Sequence, residues 1–148
     1  MGLSARTITF IRAPDIMSVP IRKPPVAPFT ILVSDDDHRV RRSIQLMLCS
    51  CGYAVRSYTS GSALLADPQA MCGNCLVVDY HMVDVDGFTI LQTLRAKGWC
   101  GKAIMVSAYC DQSLDACARK TGFDEVIAKP FVARAIIDAI ARYAPPKK

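Results

Sequence analysis

Thr30-Ile31-Leu32-Val33-Ser34-Asp35-Asp36-Asp37 is the stretch whose reading decides the fold. A short apolar run that breaks abruptly into carboxylates reads as a strand buried on both faces, with its end emerging into polar surroundings. Downstream, Val40, Ile44, Met47, Leu48 and Cys51 recur at helical spacing. Arg39, Arg41 and Arg42 lie off that stripe as a solvated face, and Gly52 stops the helix.

The same strand-then-helix unit continues along the chain. Tyr53 to Tyr58 alternates like a strand, and Thr59-Ser60-Gly61 opens a short helix through Leu64 and Leu65 that Pro68 ends. Leu76-Val77-Val78 is a fully apolar strand ending at Asp79. A loop through Gly87 leads to a helix carrying Phe88, Leu91 and Leu94, closed by Gly98. Ala103 to Val106 is a strand ending at Ser107, and Leu114, Cys117, Ala118 and Thr121 mark the next helix. Glu125 to Ala128 forms the last strand, ending at Lys129-Pro130, and a final helix carries Ile136, Ile137 and Ile140 and stops at Pro145. Five strands alternating with five helices define an α/β, doubly wound parallel sheet covered on both faces.

A chain of 148 residues has room for one such domain, expected over residues 29–144. Residues 1–28, with Pro14, Pro20, Pro24, Pro25 and Pro28, read as a flexible basic arm in which Ile8, Phe10 and Ile11 could dock, and residues 145–148 as a basic tail. The net charge of +5 sits on those ends: the first 28 residues carry +3 and Lys147 and Lys148 the rest, so the domain itself is neutral. A neutral domain with basic tails argues against a specific nucleic-acid surface. No apolar run reaches membrane-spanning length and no secretory signal is present, so no membrane association and a cytoplasmic location are expected. Seven cysteines in a reducing compartment are expected to be free thiols.

In an open parallel sheet, ligands bind outside the carboxyl ends of the strands. That rule gathers Asp35 and Asp36 from the first strand, Asp79 from the third, Ser107 from the fourth and Lys129 from the fifth. Each alone has a bland reading as a helix cap, a turn residue or a surface charge; their coincidence at one sheet edge does not. Crowded carboxylates repel unless a cation neutralises them, and hard oxygen ligands with room for water suit magnesium. An ammonium and a hydroxyl then hold the remaining oxygens of a phosphoryl group. Asp79, at a central strand end, is the candidate nucleophile.

Ile31-Leu32-Val33-Ser34-Asp35-Asp36-Asp37, Leu76-Val77-Val78-Asp79, Asp86-Gly87, Val106-Ser107-Ala108 and Lys129-Pro130-Phe131 resemble, in order and spacing, the signatures of the receiver domains of two-component response regulators. The resemblance implies a flavodoxin-like fold with strand order 2-1-3-4-5. It implies Mg2+ held by Asp35, Asp36, Asp79 and the backbone carbonyl of His81, with phosphorylation on Asp79 by a partner histidine kinase. Ser107 and Lys129 would contact the phosphoryl group, and Lys129-Pro130 would be a cis peptide. Output would run through a downstream signalling protein or a histidine phosphotransfer protein, and a homodimer is admissible. The resemblance implies no enzyme activity beyond phosphoryl uptake and self-dephosphorylation, here slow because His81 and Tyr109 would hinder water.

The chain departs from that pattern at two places. Val83 stands where most members have proline, so its loop is expected to differ in shape. Val126 stands where many have an aromatic switch residue, so coupling by aromatic rotation is not expected. With no helix-turn-helix after the fifth helix, a stand-alone module is expected rather than a transcription factor. Two other readings compete: a phosphorylation-independent scaffold of the same fold, and a thiol- or metal-sensing module using Cys72 and Cys75, whose spacing suits either chemistry. Cys49, Cys51 and Cys100 are expected at the same end of the sheet, and Trp99 is expected to anchor a loop.

Overall fold

The computed structural model describes residues 25–146. The arm to residue 24, with Ile8, Phe10 and Ile11, and the two terminal lysines lie outside them. The elements are β1 Thr30–Ser34, α1 His38–Ser50, β2 Ala54–Tyr58, α2 Gly61–Ala66, β3 Cys75–Asp79, α3 Gly87–Ala96, β4 Lys102–Ser107, α4 Gln112–Thr121, β5 Glu125–Ala128 and α5 Ala133–Ala141. The strands form one parallel sheet in the order β2-β1-β3-β4-β5. This is the doubly wound, flavodoxin-like arrangement that the alternating pattern and the resemblance imply. The last strand is only half-buried, as befits the second edge of the sheet.

The two faces of the sheet are sorted by strand periodicity, since alternate residues point to opposite sides. Leu32, Leu76, Val78, Ala103 and Met105 face Leu64, Ile90, Leu91, Leu94 and Ala118 of α2, α3 and α4. Ile31, Val33, Cys75, Val77, Ile104 and Val106 face Ile44, Leu48, Ile136 and Ile140 of α1 and α5. The helices are not equally seated. Helix α3 buries Gly87, Ile90, Leu91 and Leu94 fully, whereas α4 buries Ala118 alone; its Leu114 is half-covered and Cys117 exposed.

Helix starts follow the side-chain chemistry of their caps. Asp37 accepts from the N–H groups of Arg39 and Val40, Ser60 from Ala63, Asp86 from Thr89 and Asp111 from Leu114. Gly52, Gly98 and Gly122 end α1, α3 and α4 at positive φ, where a Cβ would be strained. Pro68 differs from the sequence expectation. It does end α2, but it also opens a 3-10 turn over Pro68–Cys72, at a position where its missing N–H costs nothing.

The amino end of the sheet is closed by a tight hydrogen-bonded base. Asn74 exchanges bonds with Thr30, through its N–H to the Thr30 carbonyl and its Oδ1 to the Thr30 N–H, both at 2.8 Å. Its carbonyl takes the Lys102 N–H, so one residue joins the starts of β1, β3 and β4. Trp99, buried beside it, donates its indole N–H to the Gly73 carbonyl at 2.8 Å. Gly101 is required there, because a Cβ on it would overlap the indole ring. Trp99 is thus the loop anchor that its place after Gly98 suggests.

Candidate functional site

Sheet register brings the polar strand ends to one level. Ser34 pairs with Val78, Asp79 with Val106 and Ser107 with Ala128. One step further along their strands, Asp35, Ser107 and Lys129 therefore surround Asp79. The Lys129–Pro130 peptide that follows the last strand is cis, as the resemblance implies.

The side chains converge. Lys129 Nζ lies 3.0 Å from Asp35 Oδ2 and 3.3 Å from Asp79 Oδ2, bridging two carboxylates. Asp35, Asp36 and Asp79 each offer an oxygen within 4.8 Å of the others, the one cluster of this kind among the described residues. Asp35 and Asp79 are buried and Asp36 is exposed, so the cluster opens to solvent on one side. The Asp35 carboxylate also accepts from the Asp37 N–H at 2.9 Å, and its carbonyl from Arg41 at 2.7 Å, which fixes it from two directions. Asp37 caps α1 while Asp35 and Asp36 enter the pocket. The two readings of the acidic run thus apply to different residues.

Electrostatics follow from this crowding. Burial, and then the neighbouring Asp35 charge, push the Asp79 carboxyl above the ordinary aspartate range, although Lys129 and the His81 N–H work in the opposite direction. Burial works against the charge on Lys129, yet its bonds to Asp35 and Asp79 and their charges hold its pKa above the usual value. The ammonium is therefore permanent near neutrality. Because the folded state disfavours the Asp79 anion, ionisation of this group opposes folding above its folded pKa. That opposition disappears as pH falls below the unfolded value of about 4. Asp79→Asn should accordingly raise the melting temperature of the metal-free protein at neutral pH, and the gain should shrink towards acid. A pH series of thermal melts checks this; a variant less stable than wild type at pH 7 would contradict the sign.

Ser107 is buried, and its hydroxyl donates to the Tyr109 carbonyl and accepts from the Tyr109 N–H, both at 3.1 Å. His81 follows Asp79 in the loop to α3, its ring against Tyr80 and edge-on to Tyr109 at 6.0 Å. An apolar cleft of about 540 Å³ adjoins the pocket, lined by Val40, Ala108, Lys129, Pro130 and Phe131. Val126 borders a smaller depression beside α4 with Cys110 and Asp115. Sequence reasoning passed over Ser34 and Met82, whose Oγ–Sδ contact of 3.4 Å ties the β3–α3 loop to β1. It also passed over Asp84 in the same loop. Asp84 is an exposed loop residue and carries no periodic signal that could have marked it, while buried Ser34 and half-buried Met82 meet only through the folded loop.

The donor set fits a hard cation: three carboxylates, partly open to water, with no sulfur or imidazole among them. Among the described residues no group of three or more thiols lies close enough together to hold a metal ion, which weighs against a metal centre built on Cys72 and Cys75. The seven cysteines are free, with Cys72 exposed. Cys75 is fully buried on the α1–α5 face, and burial, then the Asp124 and Glu125 charges, push its thiol up to about 12. Such a thiol is a core side chain rather than a thiolate donor.

A parallel α/β sheet with an acidic, lysine-bridged pocket at its carboxyl edge defines the class. The chain belongs to the response regulator receiver domain family, whose sequence profile matches residues 31–141. It is 35% identical over 108 residues to the transcriptional regulatory protein FixJ of Azorhizobium caulinodans, covering 73% of this chain and 51% of that protein. It is 33% identical to the C4-dicarboxylate transport transcriptional regulatory protein DctR of Rhodobacter capsulatus, covering 74% of this chain and 57% of that one. The chain thus spans about half the length of the curated relatives it matches. Among solved structures, that of FixJ-N superposes with a TM-score of 0.70 at 32% identity, covering 80% of this chain and 94% of that one. The chemotaxis protein CheY4 of Vibrio cholerae, at 20% identity and a TM-score of 0.74, covers 80% of this chain and all of that one, and shares the fold. No helix among the described residues is long and apolar enough to cross a membrane.

Proposed function

We propose that Asp79 accepts a phosphoryl group from the phosphohistidine of a partner kinase and that the resulting change in charge alters which protein the domain binds, or passes the group onward to a histidine phosphotransfer protein. The observation that carries this reading is the Lys129 ammonium set between Asp35 and Asp79 inside a cluster of three carboxylates. An Asp79 oxygen attacks phosphorus as the bond to the histidine nitrogen breaks, and the displaced imidazole keeps the electron pair. Asp35, Asp36, Asp79 and the His81 carbonyl would hold Mg2+, which supplies charge neutralisation between the carboxylates and the phosphoryl oxygens. Lys129 stays protonated and pairs with one phosphoryl oxygen. Ser107 exchanges its bonds to the Tyr109 backbone for another. The acyl phosphate carries about two negative charges where the ionised Asp79 carboxylate carried one, and it adds three oxygens that accept hydrogen bonds, enough to re-order the segments that contact it.

Incubation with magnesium and acetyl phosphate, read by intact mass, tests the proposal. The wild-type chain should gain the mass of one phosphoryl group and Asp79→Asn none. In the receiver family, large side chains at the positions of His81 and Tyr109 slow attack by water, so decay of the modified form should take minutes or longer, and a half-life of seconds would overturn this. An unmodified wild type would leave the phosphorylation-independent scaffold as the better account.

A further inference from the structure

The loop between β3 and α3 must hold the His81 carbonyl still if that oxygen is to serve a cation, and Val83 at its crest is 94% exposed and contributes no packing. What restrains the loop lies one residue further on. The Asp84 carboxylate accepts from the Ser62 N–H at 2.9 Å, from the Gly61 N–H at 3.2 Å and, by a short bond, from the Ser62 hydroxyl. These groups open α2, an element that supplies nothing to the acidic pocket. The bonds from Ser62, by side chain then backbone, hold the Asp84 carboxyl well below the ordinary aspartate range, so near neutral pH it is charged and each bond is charge-assisted. The seat is also shaped sterically. A Cβ on Gly61 would come within 2.9 Å of Val85 Cβ and within 2.8 Å of Ile90 Cδ1, so the turn lies flat against the loop.

We propose that Asp84 is a positioning residue: by clasping the start of α2 it fixes residues 80–85 so that the His81 carbonyl faces the carboxylate cluster. The Met82–Ser34 contact pins the near side of the loop and Asp84 the far side, with His81 close to the first and Val83 between the two. The inference rests on the magnesium-dependent reading above and adds a residue to it that touches neither metal nor phosphoryl group.

The test is magnesium binding by titration calorimetry together with amide exchange of the loop, on the full chain. Asp84→Ala should bind Mg2+ ~3- to 10-fold more weakly, at or below the usual loss for groups that orient metal ligands. Its amides at 81–85 should exchange faster, while saturating magnesium restores phosphoryl uptake. Asp84→Asn, which removes the charge but keeps an acceptor oxygen, and Ser62→Ala, which keeps the charge but loses the hydroxyl, should both fall between it and wild type. They also serve if the alanine variant does not fold. Equal affinity in Asp84→Ala and wild type overturns the proposal, as does an Asn variant as weak as the Ala variant, which would indicate long-range charge rather than a clasp. Failure of the wild type itself to bind magnesium would instead remove the reading on which the clasp depends.

Discussion

Lys129→Ala should slow phosphoryl uptake from a small phosphodonor by about 100- to 1,000-fold, the usual cost of removing one preorganised charge stabiliser. In the wild type the ammonium contacts Asp35 and Asp79 before any phosphate arrives, so it needs no reorganisation as negative charge builds on the phosphoryl oxygens. Without it the two carboxylates repel more strongly, and Asp79 loses an influence that lowers its pKa. Magnesium affinity should move the other way. The lysine competes for the oxygens that the cation uses, so the alanine variant should bind Mg2+ at least as tightly as wild type. A slower rate with undiminished metal binding separates transition-state stabilisation from metal loss. Lys129→Arg should not rescue, because a planar guanidinium fork cannot occupy the space of a compact ammonium between two carboxylates. Uptake by Lys129→Ala within a few-fold of wild type would remove the lysine from the mechanism.

The largest loss of stability is expected far from that pocket. Trp99→Ala should cost about 3–5 kcal/mol, the range for deleting a buried aromatic side chain. The indole is 3% exposed, packs beneath Arg95 at 4.8 Å and closes the base through Gly73. Its loss leaves a cavity bounded by Gly101 and an unpaired Gly73 carbonyl. Trp99→Phe keeps part of the packing but not the N–H, so it should cost about 1–3 kcal/mol, the penalty of one buried unsatisfied acceptor. Urea titration with a two-state fit gives both values. A Trp99→Ala midpoint indistinguishable from wild type would mean that the Asn74 bonds alone hold the base.

Much of this was legible in the sequence because buried parallel strands leave a coarse signature. Ile31-Leu32-Val33 and Leu76-Val77-Val78 are apolar on both faces, and each ends abruptly in a group that cannot be buried without a partner. Those abrupt ends located Asp35, Asp79, Ser107 and Lys129 together. What was not legible depended on direction rather than composition. Cys72 and Cys75 look paired by spacing, but Cys75 sits in a strand, and the face onto which its side chain turns is set by register with β1 and β4. Pro68 reads as a stop signal, yet the same fixed φ also starts a turn. Asp84 has no periodic neighbours, and its partner Ser62 lies 22 residues away, a pairing that only the folded loop creates.

The uneven seating of the helices bears on how a message could leave the molecule. Opening a segment locally takes less free energy where fewer side chains are interred. Helix α4, held fully by Ala118 alone, can therefore slide or fray with little sacrifice of native packing, whereas α3 would have to extract four buried residues to do the same. Of the five α-helices described, α4 has the fewest buried residues to displace. Recognition there can depend on a flap that yields, with the rest of the scaffold acting as the rigid frame from which it swings.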